Sequence, residues 1–337
     1  MGELWRSALV AFTTSLVGGP LILALLRRMQ VLDEPTERSS HDRPTPRGGG
    51  MAPALGALTA VLAITTFDGP SRTGLLVAAV AFGLLGLVED LRGVAPLTRL
   101  ATQLVLAGIS LVWLLDGLAG PTAWKLLFGA GCLVWIVAYV NAFNFMDGIN
   151  GISAAQTLVA GIVWLLIGRT QDVPTLAAGG MVIAAAGLAF VPFNFPKAHV
   201  FLGDVGSYFI GAWLAVLVIV GLRAGLPPEA VLAPVALYLA DTAVTIVRRA
   251  RDAETWYLPH RSHAYQRLTQ LGWSHTRTTG LVAVAMATCS ALGAVALLDS
   301  MAARLVADVA LAGVLIAYLA SPALFRRRHT TPAPTNA

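Results

Sequence analysis

The chain has 337 residues, of which 56% are hydrophobic and only 12% charged. Apolar runs close to the ~20 residues that cross a bilayer recur from one end to the other, so the chain reads as a polytopic, all-α membrane protein. A β-barrel would instead alternate polar and apolar residues in segments of ~10. The net charge of +5 does not point to nucleic acid, because 21 of the 23 basic residues are arginines gathered in particular loops, which is a topology signal.

In chain order, about eleven transmembrane helices are predicted, near 4–26, 51–67, 74–89, 99–116, 123–141, 152–168, 175–193, 207–222, 230–248, 279–298 and 302–320. The first is too long for a signal-peptide core and has no small-residue cleavage site after it, so it reads as a retained helix. Cys132 and Cys289 lie inside apolar runs and read as packing residues rather than disulfide or metal partners. Loops alternate sides, which puts seventeen Lys and Arg residues on one face and six on the other. The positive-inside rule then places the N-terminus outside and the C-terminus in the cytoplasm. Residues 1–325 are expected to form one membrane domain, and 326–337 a basic anchor running into a disordered Pro/Thr tail.

The polar chemistry sits in the cytoplasmic connections. The first ends in HDRPTPRGGG, where Arg43, Arg47 and Gly49 belong to a loop that can approach a ligand closely while supplying cations; the alternative is a flexible linker with anchoring arginines. At 88–100, Glu89 and Asp90 end an apolar helix, costly neighbours unless solvated, paired or bound to a cation. In NAFNFMDGINGI, Asn141, Asn144 and Asp147 recur every third residue and would share a ligand-facing stripe if the helix continues. The stretch 193–211, FNFPKAHVFLGDVGSYFIG, carries more polarity than a linker needs, with Asp204 flanked by Gly203 and Gly206. In the longest loop His260, Arg261 and His263 stand together, suited to phosphate contact or, alternatively, to anionic lipid. Asp241, one to two turns before Arg248, is either a structural contact or a lining residue.

Carboxylates, cations and oxygen-rich loops on one face suit Mg²⁺ and a phosphorylated substrate. A transporter is the rival class, but transporters place ionisable residues near the bilayer midplane rather than at helix ends.

Together PTPRGGG, EDLRG, NFMDGING, FNFPKAHVFLGDVGS and PHRSHAYQ resemble the polyprenyl-phosphate N-acetylhexosamine-1-phosphate transferases, relatives of the phospho-MurNAc-pentapeptide translocase. The motifs are similar to the branch that initiates O-antigen and surface polysaccharides. The resemblance implies transfer of a sugar-1-phosphate from a UDP-amino sugar to undecaprenyl phosphate with release of UMP, at the cytoplasmic face of the bacterial inner membrane. It further implies Mg²⁺, replaceable by Mn²⁺, and leaves room for a homo-oligomer. Carried over by motif, Asp204 is the principal metal ligand, and Asp90 is the acid nearest the lipid phosphate and a second metal candidate. Asn144 and Asp147 line the cleft, Asn194 helps hold the uridine, and His260, Arg261 and His263 contact the sugar or diphosphate. Two departures matter: Glu89 stands where the family usually has aspartate, and Asn150 stands where many relatives have Asp, which bears on nucleotide or sugar contacts. A phosphate monoester has its second pKa near ~6, so the lipid phosphate needs little help from a base. Direct attack on the sugar-linked phosphorus is therefore favoured over a covalent intermediate on Asp90.

Overall fold

The computed structural model describes residues 2–35, 43–63, 69–254 and 260–329. It is helical almost throughout. In chain order the helices are α1 (Gly2–Arg28), α2 (Met51–Ala63), α3 (Gly69–Arg92), α4 (Pro96–Leu114), α5 (Thr122–Met146), α6 (Ile152–Thr170) and α7 (Pro174–Asn194), then α8 (Gly203–Arg223), α9 (Pro228–Leu232), α10 (Ala236–Arg251), α11 (Ala264–Gln270), α12 (His275–Ala294) and α13 (Met301–His329). Among the described residues ten segments are long and apolar enough to cross a membrane, with α9 and α10 joined as one. Eleven were expected; the difference is α2, with 13 residues, and the remainder of that predicted span (64–67) lies outside the described residues.

Alpha8 is the hub. Every residue from Gly203 to Gly221 is buried, because α3 and α5 pack along it and close off its surface. The outer helices α1, α4 and α13 keep apolar side chains such as Leu21, Val112 and Val309 exposed, as lipid-facing helices do. Close helix contact is built on small residues: a Cβ on Gly50 would collide with the backbone of Gly206, so α2 starts directly against α8.

Two boundaries move into the motifs. Helix α5 runs to Met146, five residues beyond the predicted 141, and α8 begins at Gly203 rather than 207. Helix α13 continues through the basic cluster to His329, so the tail expected from 326 is helical that far; 330–337 lie outside the described residues.

Candidate active site

The glycine-rich loop is held by backbone bonds before any side chain acts. Strand β1 (Leu32–Asp33) pairs antiparallel with β2 (Thr45–Pro46). The next residues dock on the α7–α8 connection: Phe201 N–H donates to the Pro46 carbonyl at 2.8 Å, Gly49 N–H to Phe201 at 2.8 Å and Gly50 N–H to Leu202 at 2.8 Å. Arg47 is thereby fixed over the start of α8.

The first N–H groups of a helix have no partner within it, and α8 has no side-chain cap of its own. Asp90, at the end of α3, supplies one from a distance. Its two oxygens accept the N–H groups of Asp204 and Val205, each at 2.9 Å. Gly203 makes this fit: its φ is +74°, and a Cβ there would lie 2.6 Å from Asp90 Oδ2. Arg47 then bridges two carboxylates, with Nε 2.6 Å from Asp90 Oδ1 and Nη2 2.6 Å from Asp204 Oδ2. From the other side Asn144 donates to Asp204 Oδ1 at 2.6 Å and to Ser207 Oγ at 2.9 Å. Burial would lower the pKa of Arg47, but Asp204 and then Asp90 outweigh it and hold the guanidinium above its ordinary value.

These residues open onto a cleft of about 330 Å³ whose lining includes Asp33, Arg47, Asn144, Asp147, Asn150, Asn194, Asp204, Gln266 and His275. Asp147 follows the last turn of α5 and accepts a 2.6 Å bond from Ser153 Oγ. Burial pushes its carboxyl up to about 6, against the Ser153 hydrogen bond and with some help from Asp204. Asn194 ends α7 and braces the turn before α6, accepting from Gly151 N–H at 2.7 Å and donating to the Val200 carbonyl at 3.0 Å.

The cleft thus brings together Arg47, Asn144, Asp147, Asn150, Asn194 and Asp204 from loops distant in sequence. Other expected residues are placed elsewhere. Asp90 sits behind the cleft with its side chain 1% exposed and both oxygens engaged, an anchoring position rather than the open one of a metal ligand or nucleophile. Glu89 points away and pairs with Arg99 of α4 at 3.4 Å. Arg43 is exposed outside the cleft lining, and Gly49 is buried against Val200. Asn141 leaves the expected stripe to bond Gln103 of α4 at 2.6 Å.

The histidine loop also departs from expectation. His263 is 2% exposed, and its Nδ1 lies 3.2 Å from Asp241 Oδ1. Asp241 also accepts from Ala264 N–H at 3.0 Å and from Tyr318 of α13 at 2.7 Å, which makes it the structural contact of the two options. His260 stacks on His263 with ring centroids 5.0 Å apart. Burial, then His263, Arg249 and Arg248, pushes its pKa down to about 4, so it is neutral at pH 7. Arg261 lies outside the cleft lining, with its Nε buried and unpartnered. Three polar lining residues were not singled out from the sequence: Asp33, Gln266 at the end of PHRSHAYQ, and His275. None stands in a glycine- or acid-rich motif, and only the packing of α11 and α12 against the α5–α6 turn brings the last two in.

The model of glycosyl transferase family 4 matches residues 72–222, a stretch that holds Asp90, Asn144, Asp147, Asn194 and Asp204. The chain is 31% identical over 329 residues to the decaprenyl-phosphate N-acetylglucosaminephosphotransferase of Mycolicibacterium smegmatis, covering 82% of this chain and 78% of the relative. It is 26% identical over 285 residues to a probable undecaprenyl-phosphate N-acetylglucosaminyl 1-phosphate transferase of Bacillus subtilis, covering 79% and 77%. With the phospho-N-acetylmuramoyl-pentapeptide-transferase of Desulforudis audaxviator it shares 29% over 249 residues, covering 63% and 74%. With identity sustained across most of both chains, the protein belongs to glycosyl transferase family 4, the polyprenyl-phosphate N-acetylhexosamine-1-phosphate transferases.

Proposed function

We propose that the protein transfers an N-acetylated amino-sugar-1-phosphate from a UDP-sugar to a polyprenyl phosphate, undecaprenyl in the first instance, and releases UMP. The observation that carries this is the Arg47–Asp204–Asn144 cluster, which opens beside Asp147 into one cleft at the end of the helical bundle. Such a site meets a soluble donor and a membrane-held acceptor together. By the positive-inside rule that end faces the cytoplasm of the bacterial inner membrane, with the N-terminus outside.

The donor set fits Mg²⁺, with Mn²⁺ as a substitute. Asp147 and Asp204 line the cleft, and Arg47 is shared between Asp204 and Asp90, an arrangement of acidic oxygens that invites a cation. Among the described residues no group of three or more His, Cys, Asp or Glu converges on one point. That suits an ion taking one or two carboxylates and completing its shell with water and phosphate oxygens. Asp204, with Asp147 in the same lining, would hold it. When bound it would neutralise charge on the diphosphate.

The remaining work falls to the chain. Arg47 offers its guanidinium to phosphate oxygens and reduces repulsion between two anionic substrates. Asp90 holds Asp204 by fixing the first turn of α8. A lipid-phosphate oxygen attacks the sugar-linked phosphorus; that P–O bond forms as the bond to the bridging oxygen breaks and UMP departs. The engagement of both Asp90 oxygens favours this direct route over an aspartyl-phosphate on Asp90.

Purified protein with undecaprenyl phosphate, Mg²⁺ and a panel of UDP-amino sugars is the test. UMP release with at least one donor is expected, together with its loss in Asp204→Ala. No UMP from any donor would overturn the proposal.

A further inference from the structure

Asn150, Gln266 and His275 make a neutral part of the cleft lining, and its chemistry follows from which atoms are already spent. Asn150 is fixed on three sides. Its side chain donates to the Pro196 carbonyl at 3.0 Å, its own carbonyl accepts from Thr279 Oγ1 at 2.9 Å, and its backbone N–H donates to His275 Nδ1 at 3.4 Å. An imidazole nitrogen that accepts carries no proton, so His275 is the neutral tautomer with its hydrogen on Nε2. Gln266 is committed in the same sense: its Oε1 accepts from the His263 N–H at 3.3 Å, which leaves the amide NH₂ as its remaining function. Both side chains line the cleft. Among the described residues this part of the lining therefore presents neutral N–H donors and no cation. Phosphates draw on Arg47, whereas neutral donors suit an uncharged oxygen acceptor.

We propose that His275, a residue outside the sequence motifs, is a donor-recognition residue whose Nε2–H bonds a neutral carbonyl of the UDP-amino sugar, with the Gln266 amide beside it. This rests on the transferase function proposed above. Two carbonyl sources share the chemistry, a uracil oxygen and the acetamido oxygen of the sugar, and they separate by experiment.

His275 has two jobs in this account, and two substitutions divide them. In His275→Asn the amide oxygen can still accept from the Asn150 N–H, but the side chain no longer reaches the substrate. In His275→Gln the amide NH₂ reaches the place of Nε2. Steady-state UMP release is measured for both variants and the wild type, varying donor and lipid phosphate separately, with inhibition by added UMP and a thermal melt. His275→Asn is expected to raise KM for the donor about tenfold, the worth of one neutral hydrogen bond, with KM for the lipid and the melting temperature unchanged. His275→Gln is expected to restore the donor KM to within about threefold. A parallel rise in the UMP inhibition constant assigns the uracil carbonyl; an unchanged constant assigns the acetamido group. A wild-type donor KM in His275→Asn, or equal rises for donor and lipid, would reduce His275 to a brace for Asn150 and overturn the inference. Wild-type protein that releases no UMP would instead remove the transferase function on which it rests.

Discussion

Replacing Asp90 by asparagine separates an anchoring carboxylate from a reacting one. The wild-type side chain is 1% exposed, accepts the Asp204 and Val205 N–H groups at 2.9 Å each and meets Arg47 Nε at 2.6 Å. Asparagine keeps one acceptor oxygen and turns an NH₂ toward a donor. Either the Val205 N–H alone, or the Asp204 N–H together with Arg47 Nε, is then left without this partner. Breaking a buried charged contact of this kind costs about 3–5 kcal/mol. At roughly 2 °C per kcal/mol for a large chain, that is a fall of about 6–10 °C in melting temperature. The rate should fall with it, through position alone: once the α8 start shifts, Asp204 leaves its place between Arg47 and Asn144. The assay is a thermal melt of purified protein in detergent beside UMP release at a temperature where both forms are folded. If Asp90→Asn melts within about 1 °C of wild type while activity disappears, the anchoring account fails and Asp90 acts in the chemistry. Recovery of a phosphorylated Asp90 peptide would establish the covalent route.

Three further outcomes follow from the same geometry. Mg²⁺ should raise the melting temperature of the wild type but not of Asp204→Asn, since a ligand stabilises only a fold that binds it; equal shifts in both would remove Asp204 from the metal. Asp241→Asn should destabilise by about 3–5 kcal/mol, through loss of a buried charge that serves Ala264, His263 and Tyr318. Its turnover per folded molecule should stay near wild type, and selective loss of turnover would place Asp241 in the chemistry. His260, with its pKa lowered to about 4, binds a proton less readily in the fold than in the unfolded chain. Its share of stability is therefore complete above pH ~6.5 and is lost as pH falls toward 4. Melts of His260→Gln should fall less steeply than wild type between pH 7 and 5; identical slopes would contradict this.

The sequence by itself determined the class of the molecule and half of its site. Long apolar runs can only bury their backbone polar groups as helices in lipid, so the spans were legible, and α2 missed the count because it is short. Asn144, Asp147, Asn194 and Asp204 were legible because acids and amides at the ends of apolar helices are costly without a task. Which acid does what was decided by tertiary structure. Glu89 and Asp90 are adjacent, yet successive helical residues point in different directions, one toward Arg99 and the other under α8. His263 looked like a ligand group and is buried on Asp241, twenty-two residues earlier in the chain. Conversely, Gln266 closes the PHRSHAYQ motif without standing out from it, and His275 lies outside every motif. Their place in the cleft exists only because α11 and α12 fold back on the α5–α6 turn, where a backbone N–H fixes the imidazole and leaves one nitrogen free to donate.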